Sequence, residues 1–461
     1  MWGDPPPCPV PLLDRPLPRL PVFIADDAFD RMKSRDPRAP GPPSSKNRCI
    51  VDFAISDEER QFVDVVRDFR LRHLAEHERD FLANGKLELS TRLGLEALAR
   101  AQGLWALEVP EEHGGQGLPM VLQMLVLEEL YQTPMMFEFG GLAEPALEFC
   151  TPEQHKEYYL GVVEGRRRSC YAFTEPDTGS DLGAVRTEAV RVDDTFVING
   201  TKLFISHADR ADFIILFAST DRSKGARGIS CFLVDMDNPG VSLSREIKTM
   251  GDDWAPHEIV FDNCVVPASA LLGEINGGWQ IANRQLTYGR LRIAAYQLGI
   301  ARRCLDEAVA WAKTRVTWGK PIAARQGVQF MIADSEVELE AARLLVYRAA
   351  WLVDADKATR NEAFVAKLYA TEMAYRVADR AMQILGGMGY ASESVVQSYF
   401  RQARLWRIMP RSRGFCVIAL EIQAQPLLPG TNRARSRSHD GDQSPLHPAQ
   451  PDPMEAKTGI Q

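Results

Sequence analysis

No Cys-x-x-Cys pair occurs among the eight cysteines of this 461-residue chain: Cys8, Cys49, Cys150, Cys170, Cys231, Cys264, Cys304 and Cys416 are scattered singly. Neither a disulfide framework nor a zinc cluster is expected from such spacing, and the cysteines read as buried thiols. No apolar run approaches the roughly 20 residues needed to cross a bilayer. The opening residues show no basic segment leading into an apolar stretch and a small-residue cleavage site, so the expected address is cytoplasmic, with no membrane partner. Positive charge is in deficit: 54 Lys and Arg face 62 Asp and Glu, for a net charge of −8. That balance disfavours nucleic acid as a partner, and the short RARSRS segment at residues 433–438 is too brief to reverse it. Gly-x-Ser-x-Gly and Walker sequences are both missing, which leaves hydrolase and kinase readings without support.

Proline is scarce through most of the chain. Twelve of the 29 prolines lie in residues 1–50 and seven in 410–461, leaving ten for the 359 residues between. Both ends therefore read as unpacked: a Pro-rich extension over 1–50, and an atypical tail over 410–461 with little to bury. Patterned sequence starts abruptly at Val51, which could itself be the start encoded by an alternative initiation codon. Just beyond, Ser56 followed by Glu59 has the spacing of a helix-capping box.

What is present falls into three textures. Over residues 51–168 apolar residues recur at helical spacing, as in LGLEALARAQGLWAL, with a turn-rich break at PEEHGGQGLP. Over 169–275 the runs are short and β-rich (TFVING, FIILFAS, ISCFLVDM, EIVFDNCVV) with Asp, Asn and Gly between them. Over 276–409 long amphipathic stretches return. The expected fold is α+β: an N-terminal helical domain, a middle β domain, and a C-terminal domain resembling a four-helix bundle.

Four segments carry chemistry. TEPDTGSD (residues 174–181) offers small and hydroxyl residues that let a backbone approach a ligand while presenting N–H and O–H donors. NGTKLFIS supplies an aromatic, Phe204, and then a hydroxyl, Ser206; taken alone, Phe204 would be a core-facing strand residue. KTRVTWGKPIAARQGVQ contains Arg315, whose fork suits a pyrophosphate but which alone would be a solvated ion-pair partner. QILGGMGY (residues 383–390) is glycine-rich, as helix ends often are.

Together, in this order and spacing, the four segments closely resemble the acyl-CoA dehydrogenase family over about residues 52–409. The resemblance implies FAD as cofactor and an acyl-CoA thioester as substrate. It implies flavin contacts at Tyr171, Phe173, Thr174, Gly179 and Ser180, and at Phe204, Ile205 and Ser206 over one flavin face. Here Phe204 and Ser206 stand where the family usually has tryptophan and often threonine. Further cofactor contacts are implied at Arg315, Trp318, Gln326, Gln383, Gly386 and Gly387, the QILGGMGY loop reaching a flavin in a neighbouring subunit, so that a homodimer or homotetramer is implied. Ser180 and Arg290 would meet the acyl-CoA, and an electron-transferring flavoprotein would be the acceptor.

The implied reaction is α,β-dehydrogenation to the 2-enoyl-CoA, with a carboxylate removing the α-proton. Counting from QILGGMGY, the position of that carboxylate coincides with Pro410, which has neither an acid nor an N–H. Some relatives place the base on an earlier helix, at the position of Gly289, which is also non-acidic. Tyr288 beside it would be a poor base, with an ordinary pKa near 10. No catalytic residue is assigned, and impaired turnover is expected. After Met409 the texture changes so sharply that a shift of reading frame there is one explanation, a divergent C-terminus the other. Alternative readings are an FAD-binding, non-dehydrogenating homologue serving as a binding or assembly subunit, and a flavin oxidase or monooxygenase on the same fold.

Overall fold

The computed structural model describes residues 55–357 and 360–409. The expectations for residues 1–50, for the tail from 410 and for Pro410 itself lie outside the described residues. The chain forms helices, then a β-sheet, then helices.

The first helix, α1 (Asp57–Phe69), starts as its sequence dictates. Ser56 Oγ accepts from the Glu59 amide at 3.2 Å, and Glu59 Oε2 accepts from the Ser56 amide at 2.8 Å, so two donors left over at the helix start are satisfied reciprocally. Phe62, Val66 and Phe69 form its buried face. Helix α2 (Leu89–Ala101) and α3 (Met120–Leu130) follow, the latter buried around most of its circumference. The α3 start is capped from far away in sequence: the Met120 and Val121 amides donate to the Asp354 carboxylate at 2.6 and 3.0 Å.

The sheet contains β1 (Ser169–Ala172), β2 (Glu188–Val192), β3 (Thr195–Ile205), β4 (Phe213–Ser219), β5 (Ile229–Asp235), β6 (Val241–Glu246), β7 (His257–Pro267) and β8 (Leu271–Leu272). Its order is β6-β7-β3-β2-β4-β5-β8, with β1 parallel to β4. Strand β4 is buried throughout, and its period of two sorts side chains between cores. Phe213, Ile215 and Phe217 face a cluster shared with residues 105–163 and the following helix, while Ile214, Leu216 and Ala218 face the β3–β5–β7 side.

Helix α4 (Gly278–Thr314) has 37 residues, about 55 Å at 1.5 Å per residue. Antiparallel to it runs α5 (Gln326–Asp354), and α6 (Arg360–Leu385) returns beside α4. Helix α7 (Val395–Trp406) closes the bundle with Val396, Tyr399 and Ala403 inside. These helices share one core with α1 and α3. Cys170, Cys231, Cys264 and Cys304 are buried thiols, whereas Cys150 is half-buried. Among the described residues no helix is long and apolar enough to cross a membrane.

Candidate active site

The loop after β1 is built on a buried acid. Glu175 and Thr178 pair backbone to backbone at 2.9 and 3.1 Å, making the TEPDTGSD segment a tight turn. The Glu175 carboxylate accepts from the Arg186 and Thr187 amides at 2.7 and 3.0 Å and from Lys202 Nζ at 2.7 Å. Lys202 also donates to the Phe173 carbonyl at 3.0 Å. Burial pulls the Lys202 ammonium down to about 8, opposed by Glu175. Burial acts on Glu175 in the reverse sense, but Lys202 and the amides hold its carboxyl below the usual range. This anchoring holds the tip outward: Gly179 and Ser180 are exposed, and a side chain at Gly179 would meet nothing within 4 Å. Thr174 is half-buried, and its carbonyl accepts from the Leu203 amide at 2.9 Å, tying the loop to β3. Below it, Phe173 stacks on Phe217 with centroids 4.5 Å apart, and Tyr171 leans on the same ring at 4.9 Å.

Strand β3 ends in an irregularity, since its register with β7 shifts between Lys202 and Ile205. A bulge turns one side chain away from the face that simple alternation would assign. Phe204 consequently has φ +59° and is 46 % exposed, so it is not a core residue, and a bulky residue in the left-handed region is a strained feature of the kind that gathers at functional sites. Ile205 is buried, and Ser206 Oγ accepts from Trp254 Nε1 at 2.8 Å. The structure thus brings the Tyr171–Ser180 segment and the Phe204–Ser206 segment together.

Helix α4 contributes a polar face spaced at 285, 288, 289, 292 and 296. Arg292 donates to Glu108 and Glu138 and, through Nε, to Tyr296 Oη at 3.1 Å. Tyr288 donates to Glu108, Tyr131 and Tyr296 donate to Glu138 Oε1 at 2.9 and 2.5 Å, and Gln285 donates to Glu144. Burial pushes the Glu108 and Glu144 carboxyls up, Arg292 opposing it at Glu108 and Gln285 opposing it at Glu144. Gly289 is half-buried within this face, and a Cβ there would meet nothing within 4 Å. Arg290 points elsewhere: it is buried with its guanidinium 4.1 Å from the centre of the Phe364 ring. Leu286 shares a core cluster with Phe173 and Tyr171, which links α4 to the loop after β1.

The remaining predicted residues gather at the turn from α4 to α5 and at the end of α6. Trp318 (φ +47°) and Gly319 (φ +74°) form the two-residue turn between Val316–Thr317 and Lys320–Pro321, both in the left-handed region that such hairpins require. Trp318 is 90 % exposed, braced by Arg325, whose guanidinium lies 5.5 Å from its ring. Arg315, Gln326, Gln383, Gly386 and Gly387 are all exposed. Because α5 returns between α4 and α6, both groups stand at one end of the bundle. Among the described residues no hydrogen bond or ring contact joins them to Phe204 or Ser206.

Comparison with known proteins decides the family. The chain matches three family descriptions in order: "Acyl-CoA dehydrogenase, N-terminal domain" over residues 56–166, "Acyl-CoA dehydrogenase, middle domain" over 170–264 and "Acyl-CoA dehydrogenase, C-terminal domain" over 276–410. The chain belongs to the acyl-CoA dehydrogenase family. The family is flavin-dependent, and its members are oxidoreductases. The rat "Short-chain specific acyl-CoA dehydrogenase, mitochondrial" is 39% identical over 66% of this chain and 76% of its own length. The "Caffeyl-CoA reductase-Etf complex subunit CarC" of Acetobacterium woodii is 36% identical over 77% and 94%. Butyryl-CoA dehydrogenase from Megasphaera elsdenii superposes with a TM-score of 0.75 at 31% identity, covering 81% of this chain and all of that one.

Within this acyl-CoA dehydrogenase frame, several residues escaped the sequence reading: Glu108, Glu138, Glu144, Gln285, Arg292 and Trp254. One signal was available, since Arg292 is a second arginine, after Arg290, within the otherwise apolar run RLRIAAY. Its carboxylate partners, 184 and 154 residues away in sequence, had none.

Proposed function

We propose that this chain binds FAD and a CoA thioester at the junction of the β1 loop, the β3 bulge and α4, and carries out α,β-dehydrogenation at a rate limited by proton removal. The observation that carries this reading is Phe204. A strained, half-exposed aromatic beside the outward-facing Gly179–Ser180 tip is a platform a flat ring would cover. Those residues fit a flavin. FAD held there would supply an acceptor for the hydride that leaves the thioester β-carbon.

The chain's own groups do the rest. Tyr171, Phe173, Thr174, Gly179 and Ser180 line the cofactor edge, Phe204, Ile205 and Ser206 lie over its face, and Ser206 is held in place by Trp254. Ser180 serves the thioester; Arg290, buried against the Phe364 ring, is not part of that contact. A second copy of the chain supplies Arg315, Trp318, Gln326, Gln383, Gly386 and Gly387 to the cofactor's far end, which accounts for so many exposed residues of this kind at one tip and makes the working unit a dimer or a pair of dimers. An electron-transferring flavoprotein is the proposed acceptor, in line with the name of the Acetobacterium relative, an Etf-complex subunit. The α-proton has no carboxylate at 410 or 289 to receive it, and a general base typically contributes about 10²–10⁴-fold.

The test is anaerobic absorbance of flavin-loaded protein on addition of acyl-CoA thioesters of graded length. Slow bleaching over many minutes supports the reading. Bleaching within milliseconds would contradict the loss of the base, and bound flavin unaffected by any thioester would favour a non-dehydrogenating binding subunit.

A further inference from the structure

The strap between β6 and β7, residues 247–256, is held from two helical regions at once. Its base is closed by the Ile247 amide, which donates to the Pro256 carbonyl at 2.8 Å. Further out, Asp252 accepts from Ser398 Oγ and Arg401 Nη1 of α7, each at 2.7 Å, and Arg401 Nη1 also donates to the Met250 carbonyl at 2.6 Å. Asp253 turns the other way. It accepts from Arg92 Nη2 of α2 at 2.6 Å, and its amide donates to the Gly85 carbonyl at 2.6 Å. The two aspartate side chains are only 12% and 11% exposed, so these charge-assisted bonds are largely shielded from water. Asp253 has φ +48°, a left-handed conformation that a residue other than glycine keeps only where its surroundings enforce it. The side chain that this anchoring delivers is Trp254.

Trp254 Nε1 donates to Ser206 Oγ at 2.8 Å, and the Trp254 carbonyl accepts from Thr249 Oγ1 at 3.1 Å, which fixes the backbone behind the indole. An indole N–H can only donate, whereas a serine hydroxyl has two acceptor sites and a single hydrogen. The bond therefore occupies an acceptor site of Ser206 and leaves its hydrogen to be given elsewhere. Among the described residues Ser206 Oγ donates to no protein group, and it lies half-buried two positions from the exposed Phe204 ring. We infer that Trp254 is a positioning residue for the flavin: it commits the Ser206 hydroxyl to donate towards the ring that covers Phe204. This role rests on the proposed flavin site and names a residue of the strap that orients one of its donors. A hydrogen bond given to the ring stabilises the negative charge gained on reduction, so the strap ties the electron affinity of the site to α2 and α7.

Ser206→Ala, Trp254→Phe and the double variant separate the possibilities. Three quantities are read on the full chain with FAD, and no turnover is required: the FAD dissociation constant, the positions of the flavin absorption bands and the flavin midpoint potential. Ser206→Ala is expected to weaken FAD about fivefold, as loss of one neutral hydrogen bond does, to shift the bands and to make the potential more negative. Trp254→Phe is expected to move all three in the same direction. The double variant should lose no more than Ser206→Ala alone, because both act through one hydroxyl. Asp252→Ala frees the strap from α7 without altering the indole and should shift the bands the same way, which keeps the role testable if Trp254→Phe does not fold. Bands and potential unmoved in Ser206→Ala, in Trp254→Phe or in Asp252→Ala, or losses that add in the double variant, overturn the inference and leave the flavin site standing. No saturable binding of FAD to the wild-type protein overturns both.

Discussion

Replacing Lys202 with methionine isolates the anchor beneath the TEPDTGSD loop. Lys202 and Glu175 are 0% and 4% exposed at their side chains, so the substitution leaves a desolvated carboxylate facing a thioether. Breaking a buried pair from one side costs about 3–5 kcal/mol. The amides of Arg186 and Thr187 still donate to Glu175, which places the expected loss near the lower bound, about 3 kcal/mol. At roughly 2 °C per kcal/mol for a large domain, the midpoint of thermal unfolding should fall by about 6 °C. Its pH dependence follows from the charges. In the variant, burial without Lys202 raises the folded pKa of Glu175 above its unfolded value; that group then contributes stability below about pH 4.5 that is lost as pH rises through the higher folded pKa. The gap between variant and wild type should therefore narrow as pH falls from 7.5 towards 5. In the wild type, the Lys202 pKa of about 8 lies below its ordinary 10.5, so the unfolded chain binds more protons between those values and this lysine makes stability rise with pH across that window. The variant lacks that rise. Glu175→Gln added to Lys202→Met removes the stranded charge and should recover part of the loss. Differential scanning calorimetry at several pH values reads all of this; a Lys202→Met midpoint within 2 °C of wild type at pH 7.5 would refute the reasoning.

Other outcomes follow from the same geometry. Gly289→Glu places a carboxylate where a Cβ meets nothing within 4 Å, so it should fold, gain about 0.5 kcal/mol from improved helix propensity, and speed anaerobic flavin bleaching by acyl-CoA by about 10²-fold or more; no acceleration in a folded variant counts against Gly289 facing the reacting carbon. Phe204→Gly relieves a left-handed aromatic at φ +59°, so the flavin-free protein should melt no lower than wild type while flavin affinity drops about tenfold through lost stacking; unchanged affinity would remove Phe204 from the cofactor face. Arg315→Ala should weaken FAD binding without altering unfolding of the flavin-free chain, since Arg315 is exposed, and sedimentation in the presence of FAD should show fewer dimers; identical affinity would contradict a cofactor shared between copies.

The local parts of the structure were legible in the chain, and the long-range parts were not. Ser56 and Glu59 announce their helix because a capping box is complete within four residues. The strands FIILFAS and ISCFLVDM show in their β-branched and aromatic content, and four ordered motifs carry the family. The exposed edge strand VSLSRE, by contrast, offers only Val241 and Leu243 as an apolar alternation, too short to signal it. Phe204 reads as a buried strand residue by alternation, and only a register shift against β7 makes it face outward. The acids around Arg292 come from loops that meet α4 only after folding, and the Lys202–Glu175 pair joins residues 27 apart across a turn. In each case pairing depends on where the backbone travels between partners, which no local period encodes.

The most direct test of the account is equilibrium binding of FAD to the purified, flavin-free chain, followed by flavin fluorescence and stoichiometry. The account predicts one FAD per chain, with fluorescence quenched by the aromatic platform and binding coupled to association of two copies. An absence of saturable binding, or binding that leaves fluorescence unquenched and Phe204→Ala without effect, would contradict it.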